Sequence, residues 1–296
     1  MINRIKGAAF DLDGQTVRLT PNDANGNALH GGAGKGWGDQ AWTLVAATPL
    51  SATYKYHSPS GDQGFPGAVD ATVTYTLDGQ ANTLTAVMEA TADAPTPLNL
   101  AQHSYFNLNG QGNGTVLSTV AQIEGAYFTE LDSKTLLPTG AIKPVSDAPA
   151  FDFQTPAPIG SRFAAIPNPE PGATGYDLLY VLFGRDGPAA KADTVDCAVG
   201  ADPKFAARFA APESGRTLEL WTNAPGLEFY TGNHLDGSVA GKGGVHYPQY
   251  AGFALEAQDF SDFVHHPNFP QCVLRPGASF RRVWQLKFGT DSAGKQ

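Results

Sequence analysis

The chain has 296 residues, 42% hydrophobic and only 16% charged, a balance that excludes a disordered segment and allows a sizeable core. Its net charge of −9 leaves no basic stripe to neutralise phosphates, so neither nucleic acid nor an anionic membrane is an expected partner. No apolar run approaches the ~18 residues that span a bilayer, and the opening MINRIKGAAF lacks the apolar stretch of a secretion signal, which makes the cytoplasm the expected compartment.

Glycine (34) and proline (22) punctuate short strand-like runs along the chain, the pattern of an all-β protein. NALHGG (27–32) places His30 before a glycine pair, in a turn, where a histidine is ordinarily a surface loop residue. In WGDQAW (37–42) the tryptophans are expected to pack the core, although they could stack on a ligand. GAGKGWG (32–38) has a lysine among glycines but lacks the GK[ST] ending of a phosphate-binding loop. ATVTYTL (71–77) alternates cleanly, with Ala71, Val73, Tyr75 and Leu77 inward, and TLTAVMEATAD (83–93) alternates as well.

NLAQHSYFNLNG (99–110) reads as a strand with a divided character. Asn99, Ala101, His103, Tyr105 and Asn107 would share one face, and Leu100, Phe106 and Leu108 the other. The second face can pack a core. The first carries an imidazole between an aromatic ring and amides, an unusual set for a face that only meets water.

SRFAAI (161–166) is the one short helix the pattern suggests, and IPNPEPGATG (166–175) is the best candidate boundary, with strand-like sequence on both sides. In GYDLLYVLF (175–183), Asp177 shares a face with Leu179, Val181 and Phe183, at the mouth of a buried strand. Taken alone it reads as a strand-end aspartate. GRDGPAAKADTV (184–195) reads as a polar surface loop. Cys197 and Cys272 are too isolated for a metal site and read as two buried thiols. TLELWTN (217–223), GFALEAQDF (252–260) and VWQLKF (283–288) alternate. In the second of these, Phe253, Leu255 and Ala257 face one way and Glu256 and Gln258 the other. By itself that carboxylate is expected to be solvated, since burying it unpaired is costly. His265 and His266 lack the i, i+4 spacing and third ligand of a metal site, and Arg275 in LRPG reads as structural.

What remains is histidines, carboxylates and an arginine on strands or strand ends, with aromatics nearby. Carboxylates and arginine suit sugar hydroxyls, aromatic rings suit the CH faces of sugars, and a His/Glu couple suits proton transfer near neutral pH. Residue types alone reach a possible carbohydrate site on one antiparallel β-sandwich domain.

The motifs carry this further. NLAQHSYFNLNG resembles the signature of the aldose 1-epimerase (galactose mutarotase) family, usually seen as NLTNHSYFNLAG. The agreement continues in the family's order through NRI (3–5), NALHGG, SPSGDQGFPG (58–67), GYD, GLEFYTGNHLDG (226–237), GFALEAQ, HPNFP and LRPG. The resemblance implies a large antiparallel β-sandwich of the galactose mutarotase-like type across residues 1–296, binding a monosaccharide without metal or organic cofactor. It implies His103 as general acid at the ring oxygen and Glu256 as general base at the anomeric hydroxyl. Asn3, Arg4, His30, Tyr105, Asp177 and Glu228 would hold or line the sugar. The implied reaction is anomer interconversion of free aldoses. A sugar-phosphate mutarotase would need an arginine cluster that the motifs lack, and a binding protein without turnover is the reading from another class. The oligomeric state stays open.

Three departures qualify the resemblance. Family members carry further strands before NRI, so the domain is expected to be N-terminally incomplete, with an exposed sheet edge and Arg4 in a segment liable to fray. Glu228 stands where the family commonly has glutamine. Facing the cleft near Glu256, it would raise the apparent pKa values of the pair and shift the acidic limb of the pH–rate profile upward relative to Glu228→Gln. Leu178 and Leu179 follow Asp177 where the family tends to a polar residue, which could alter the sugar accepted.

Overall fold

The computed structural model describes residues 1–32, 35–167, 172–182 and 202–291. Period-two alternation folds into two antiparallel sheets packed face to face. The larger has nine strands, in the order Ala157–Pro158, Val120–Ile123, Lys204–Ala210, Arg216–Thr222, Phe280–Thr290, Thr83–Ala92, Val69–Asp78, Ser51–Ser58 and Thr43–Thr48. The smaller has six, in the order Tyr105–Phe106, Phe253–Gln258, Gly226–Tyr230, Asp177–Val181, Tyr127–Leu131 and Pro138–Pro144. The helices among the described residues are all 3-10 turns, the expected one running Ile159–Ala165. The 184–195 loop and Cys197 lie outside the described residues. Cys272 is buried and disulfide-bonded, which corrects the expectation of a thiol there.

Aromatic residues lock the sheets together. Phe209 of the larger stacks on Phe253 of the smaller, with ring centroids 4.6 Å apart. Trp284 packs near Phe106, and its indole N–H donates to the carbonyl of Leu255 at 3.2 Å. Each such side chain contributes roughly 1.5–3 kcal/mol by leaving water. Ala71, Val73 and Tyr75 point to the core as expected, but Leu77 is 51% exposed. Its strand runs past the sandwich into the hairpin turn at 79–82, where no second sheet covers it.

The segment around Arg4 is tied down on three sides. Arg4–Ile5 pairs with Ala28–Leu29, the Ile2 amide donates to the Asn99 carbonyl at 2.9 Å, and the Lys6 amide donates to Asp262 Oδ1 at 3.0 Å. Asp262 also takes His265 Nδ1 at 2.6 Å, so this histidine is used in anchoring the segment. These bonds remove the reason to expect fraying. At the end of the larger sheet, Thr43–Thr48 is exposed along its length, Leu44 and Val45 included. Arg275 is structural too: it clamps Asp13 through two bonds of 2.8 and 2.9 Å.

Candidate active site

The smaller sheet carries the site on the face turned away from its core. Leu178, Tyr180, Leu227, Phe229, Phe253 and Leu255 are buried on one side. Register decides what meets on the other. Glu228 lies directly opposite Glu256 on the neighbouring strand, and Asp177 lies opposite Tyr230, which is opposite Ala254, itself opposite Tyr105. Three carboxylates from three adjacent strands therefore share one face.

NLAQHSYFNLNG pairs as a strand only at Tyr105–Phe106. Ahead of it, side chains take over from the strand ladder. The Asn99 amide donates to the Asp259 carbonyl at 3.0 Å and its oxygen accepts the Asp259 amide at 2.9 Å, while Gln102 pairs with the Tyr75 hydroxyl. Asn99 is fully buried, which departs from its expected place beside His103 on the open face. The division nonetheless holds at the residues that matter. Phe106 and Leu108 pack the core, and the His103 and Tyr105 rings lie together at 5.2 Å.

His103 Nε2 stands 3.4 Å from Glu256 Oε1. The imidazole keeps about a third of its surface open (32%), whereas Glu256 is 3% exposed. The carboxylate is thus buried instead of solvated, with Oε2 lacking any hydrogen-bond partner among the described residues. A buried carboxyl oxygen with free lone pairs is poised to accept a hydroxyl proton. Burial, with the Asp177 charge added, holds the Glu256 carboxyl well above the ordinary carboxylate range. Burial pushes the His103 imidazole down. In both groups burial disfavours the charged form, so the two shifts run in opposite directions.

The other expected site residues gather around this couple. The His30 ring lies 5.5 Å from that of His103, edge on. His30 is in the left-handed region (φ 51°), in a turn closed by its amide donating to the Asn3 carbonyl at 3.0 Å. In return the Asn3 amide donates to His30 Nδ1 at 3.2 Å, which fixes Nδ1 as acceptor and leaves Nε2–H as a donor. Enclosure by the protein, then His103 and Arg4, lower His30 to about 4, so it is neutral near pH 7. Asn3 Nδ2 reaches Glu228 Oε2 at 3.3 Å. Arg4 is steadied by Asp23 at 3.6 Å, and Asp23 is itself held by the Asn25 and Asn27 amides. Tyr105 is 45% exposed at the mouth, and its surroundings push the phenol up, so it remains a neutral donor. Glu228 is 3% exposed and lies on the same sheet face as Glu256, directly opposite it, and burial, with the Asp177 and Glu256 charges added, pushes its carboxyl well above the ordinary range. Leu178 joins the core, and Leu179, opposite Glu228, is fully buried.

Two residues at the site were given no role by sequence reasoning. Tyr230 lies 6.1 Å from Tyr105 and 6.4 Å from His103, ring to ring, and Gln258 Nε2 lies 3.5 Å from Glu228 Oε2. Alternation could have found both, since each is two residues from a site carboxylate on the same face. Trp37 and Trp42 pack around Tyr56 and line a cavity of about 670 Å³ that begins at His30 and His103. A smaller cavity of about 250 Å³ reaches Asp177 from the side of Phe128 and Phe151. Among the described residues, no three His, Cys, Asp or Glu side chains are arranged to hold a metal ion, and no helix is long and apolar enough to cross a membrane.

The β-sandwich thus brings an imidazole and a carboxyl within 3.4 Å of each other on a polar sheet face, with further hydrogen-bonding side chains around them. Residues 1–287 match the family model for aldose 1-epimerase, and the chain belongs to that family. It is 37% identical to the galactose mutarotase of Bos taurus over 286 residues, 97% of this chain and 76% of that protein. It is 33% identical to the aldose 1-epimerase of Escherichia coli over 97% of this chain and 77% of that one. Among solved structures, an aldose epimerase homologue from C. elegans superposes with a TM-score of 0.81 at 29% identity, covering 98% of this chain and 80% of that chain.

Proposed function

We propose that this chain interconverts the α and β anomers of free aldoses of the galactose and glucose type, with His103 as general acid and Glu256 as general base. The 3.4 Å approach of His103 Nε2 to Glu256 Oε1, on the open face of the smaller sheet, is the observation that carries this reading. Glu256 takes the proton of the C1 hydroxyl while His103 gives one to the ring oxygen. The C1–O5 bond breaks, leaving an aldehyde at C1 and a hydroxyl at C5. Rotation about C1–C2 turns the other carbonyl face toward the C5 hydroxyl. Closure returns that hydroxyl's proton to His103 and the Glu256 proton to O1, so the protein ends as it began.

The surroundings suit the task. Neutral His30, with Nε2–H free to donate, Arg4 and the Asp177 carboxylate offer donors and an acceptor to ring hydroxyls, while Tyr105 and Tyr230 wall the mouth. The arginine at this site is Arg4, already facing Asp23, so a dianionic phosphate lacks the cluster it would need. Polarimetry on α-D-galactose tests the assignment: His103→Ala and Glu256→Ala should each abolish the catalysed decay while the circular dichroism spectrum of a β-protein survives. Near-native rates in both variants would reject it. Glucose should compete and glucose 6-phosphate should not.

A further inference from the structure

His103 is carried to Glu256 by a stretch of chain that the strand ladder does not hold. The ladder between this stretch and the strand of Glu256 consists of Tyr105 opposite Ala254 and Phe106 opposite Phe253. Carried back in the same register, it would set His103 directly opposite Glu256 and Asn99 opposite Phe260. Residues 99–104 instead belong to no strand. The next tie falls one residue short of that register: Asn99 Nδ2 donates to the Asp259 carbonyl at 3.0 Å, and Asn99 Oδ1 accepts the Asp259 amide at 2.9 Å.

Between the two ties, then, the stretch from Asn99 to Tyr105 has one residue more than the stretch from Asp259 to Ala254. A surplus residue on one side of an antiparallel pair bends that side away from its partner, and a shift of one residue turns side chains to the other face. Asn99 shows the turn. Alternation from His103 would put it on the open face, yet it is fully buried. Its carbonyl is used by the Ile2 amide at 2.9 Å, and Gln102 ties the middle of the span to the Tyr75 hydroxyl of the larger sheet at 2.9 Å. The lower tie is itself fixed. Asp259 follows directly on Phe253–Gln258, gives Asn99 its backbone, and gives its carboxylate to fully buried Arg282 at 2.5 Å.

Resting on the acid/base reading above, we propose that Asn99 is a positioning residue for this reaction: its two bonds to the Asp259 backbone pin one end of a raised span, residues 100–104, and so set the height of the His103 imidazole over Glu256. In a regular ladder that height would be fixed by the pairing itself, with opposite Cβ atoms ~4.5–5.5 Å apart. Here it is fixed by the ties at either end. Asn99 touches neither the sugar nor the reacting atoms. Loosening its end of the span should therefore cost turnover and leave sugar binding alone, because the residues proposed to hold the ring hydroxyls stand on other elements.

Polarimetry on α-D-galactose, well below the unfolding transition, tests this. Asn99→Ala should lower kcat by about 10²-fold, the cost of a misplaced reacting group, at unchanged KM. Tyr180→Phe is the structural control. It removes a buried bond to the Phe151 carbonyl, 2.8 Å long, on the core side of the same sheet, and should lower the urea midpoint with kcat unchanged. Amide hydrogen exchange gives a readout without turnover: in Asn99→Ala, residues 100–103 and Asp259 should exchange about tenfold faster or more, with Phe253–Gln258 as protected as in wild type. A kcat that stays native, a KM that rises along with the loss of kcat, or exchange that opens the whole strand would each overturn the proposal. A wild-type chain with no mutarotase activity would refute the acid/base reading instead, and the exchange pattern would still decide the span. If Asn99→Ala fails to fold, Ala101→Gly decides, since it frees the backbone of the span and removes none of these bonds: a several-fold loss of kcat at unchanged KM supports the proposal, and native kcat rejects it.

Discussion

Replacing Glu256 by glutamine removes a base and, in the same atoms, a buried ionisable group, so activity and stability should move in opposite directions. The side chain is 3% exposed, opposite Glu228 and 3.4 Å from the imidazole. An amide of the same shape fits there but cannot take the anomeric proton. General-base removal costs about 10²–10⁴-fold in rate, or roughly 3–5 kcal/mol of transition-state stabilisation at 1.36 kcal/mol per decade. The stability effect has the other sign. A carboxyl whose folded pKa is raised binds a proton that the unfolded chain has lost, so the native state loses stability as pH climbs from the ordinary carboxylate range toward the folded value. Glu256→Gln should thus be more stable than wild type at pH 7, with the gap closing as pH falls toward 4. Polarimetric progress curves and urea unfolding at both pH values test this. A variant with near-native turnover would refute the base assignment. One that loses both turnover and stability would show that Glu256 acts through the fold instead.

Other outcomes follow from the same geometry. Asn99→Ala removes two buried bonds to the Asp259 backbone that fix the segment leading to His103. At ~1–3 kcal/mol for each buried group left unpaired, it should lower the urea midpoint and lower kcat more than it changes KM. Asp259 Oδ2 accepts from fully buried Arg282 at 2.5 Å, so Asp259→Ala should cost about 3–5 kcal/mol by stranding that cation, read as a lower midpoint at unchanged denaturant slope. His30 should remain neutral until about pH 4, followed by its ring-nitrogen NMR shifts, and an ordinary midpoint near 6.5 would contradict the enclosed, Nδ1-accepting geometry. The double variant His103→Ala/Glu256→Gln should be no slower than the worse single variant, since the acid and base act as one unit.

The alternation of Val69–Asp78, Thr83–Ala92, Arg216–Thr222 and Phe280–Thr290 was legible because local periodicity is all it requires. Where a strand ran beyond its cover, as at Leu77, periodicity could not say so, since exposure is set by the opposing sheet. At 99–104 the pattern was that of a strand but the bonds are side-chain bonds, because Asn99 carries donor and acceptor enough to replace the ladder. The site was legible in part. Phe253 and Leu255 against Glu256 and Gln258 gave the faces, and motif resemblance named His103, Glu256, His30, Arg4 and Asp177. That Glu228 sits opposite Glu256 could not be read, because their strands are joined by more than twenty residues and register is a long-range property. Glu256 alone read as solvated. Its burial brings it beside His103, and that neighbour comes from a distant part of the chain.

The most direct test is a crystal structure of the chain with bound galactose. Catalysis by this couple requires the ring oxygen within about 2.6–3.2 Å of His103 Nε2 and the anomeric oxygen at similar reach of Glu256. A sugar seated instead between Trp37 and Trp42, its C1 remote from both groups, would contradict the account.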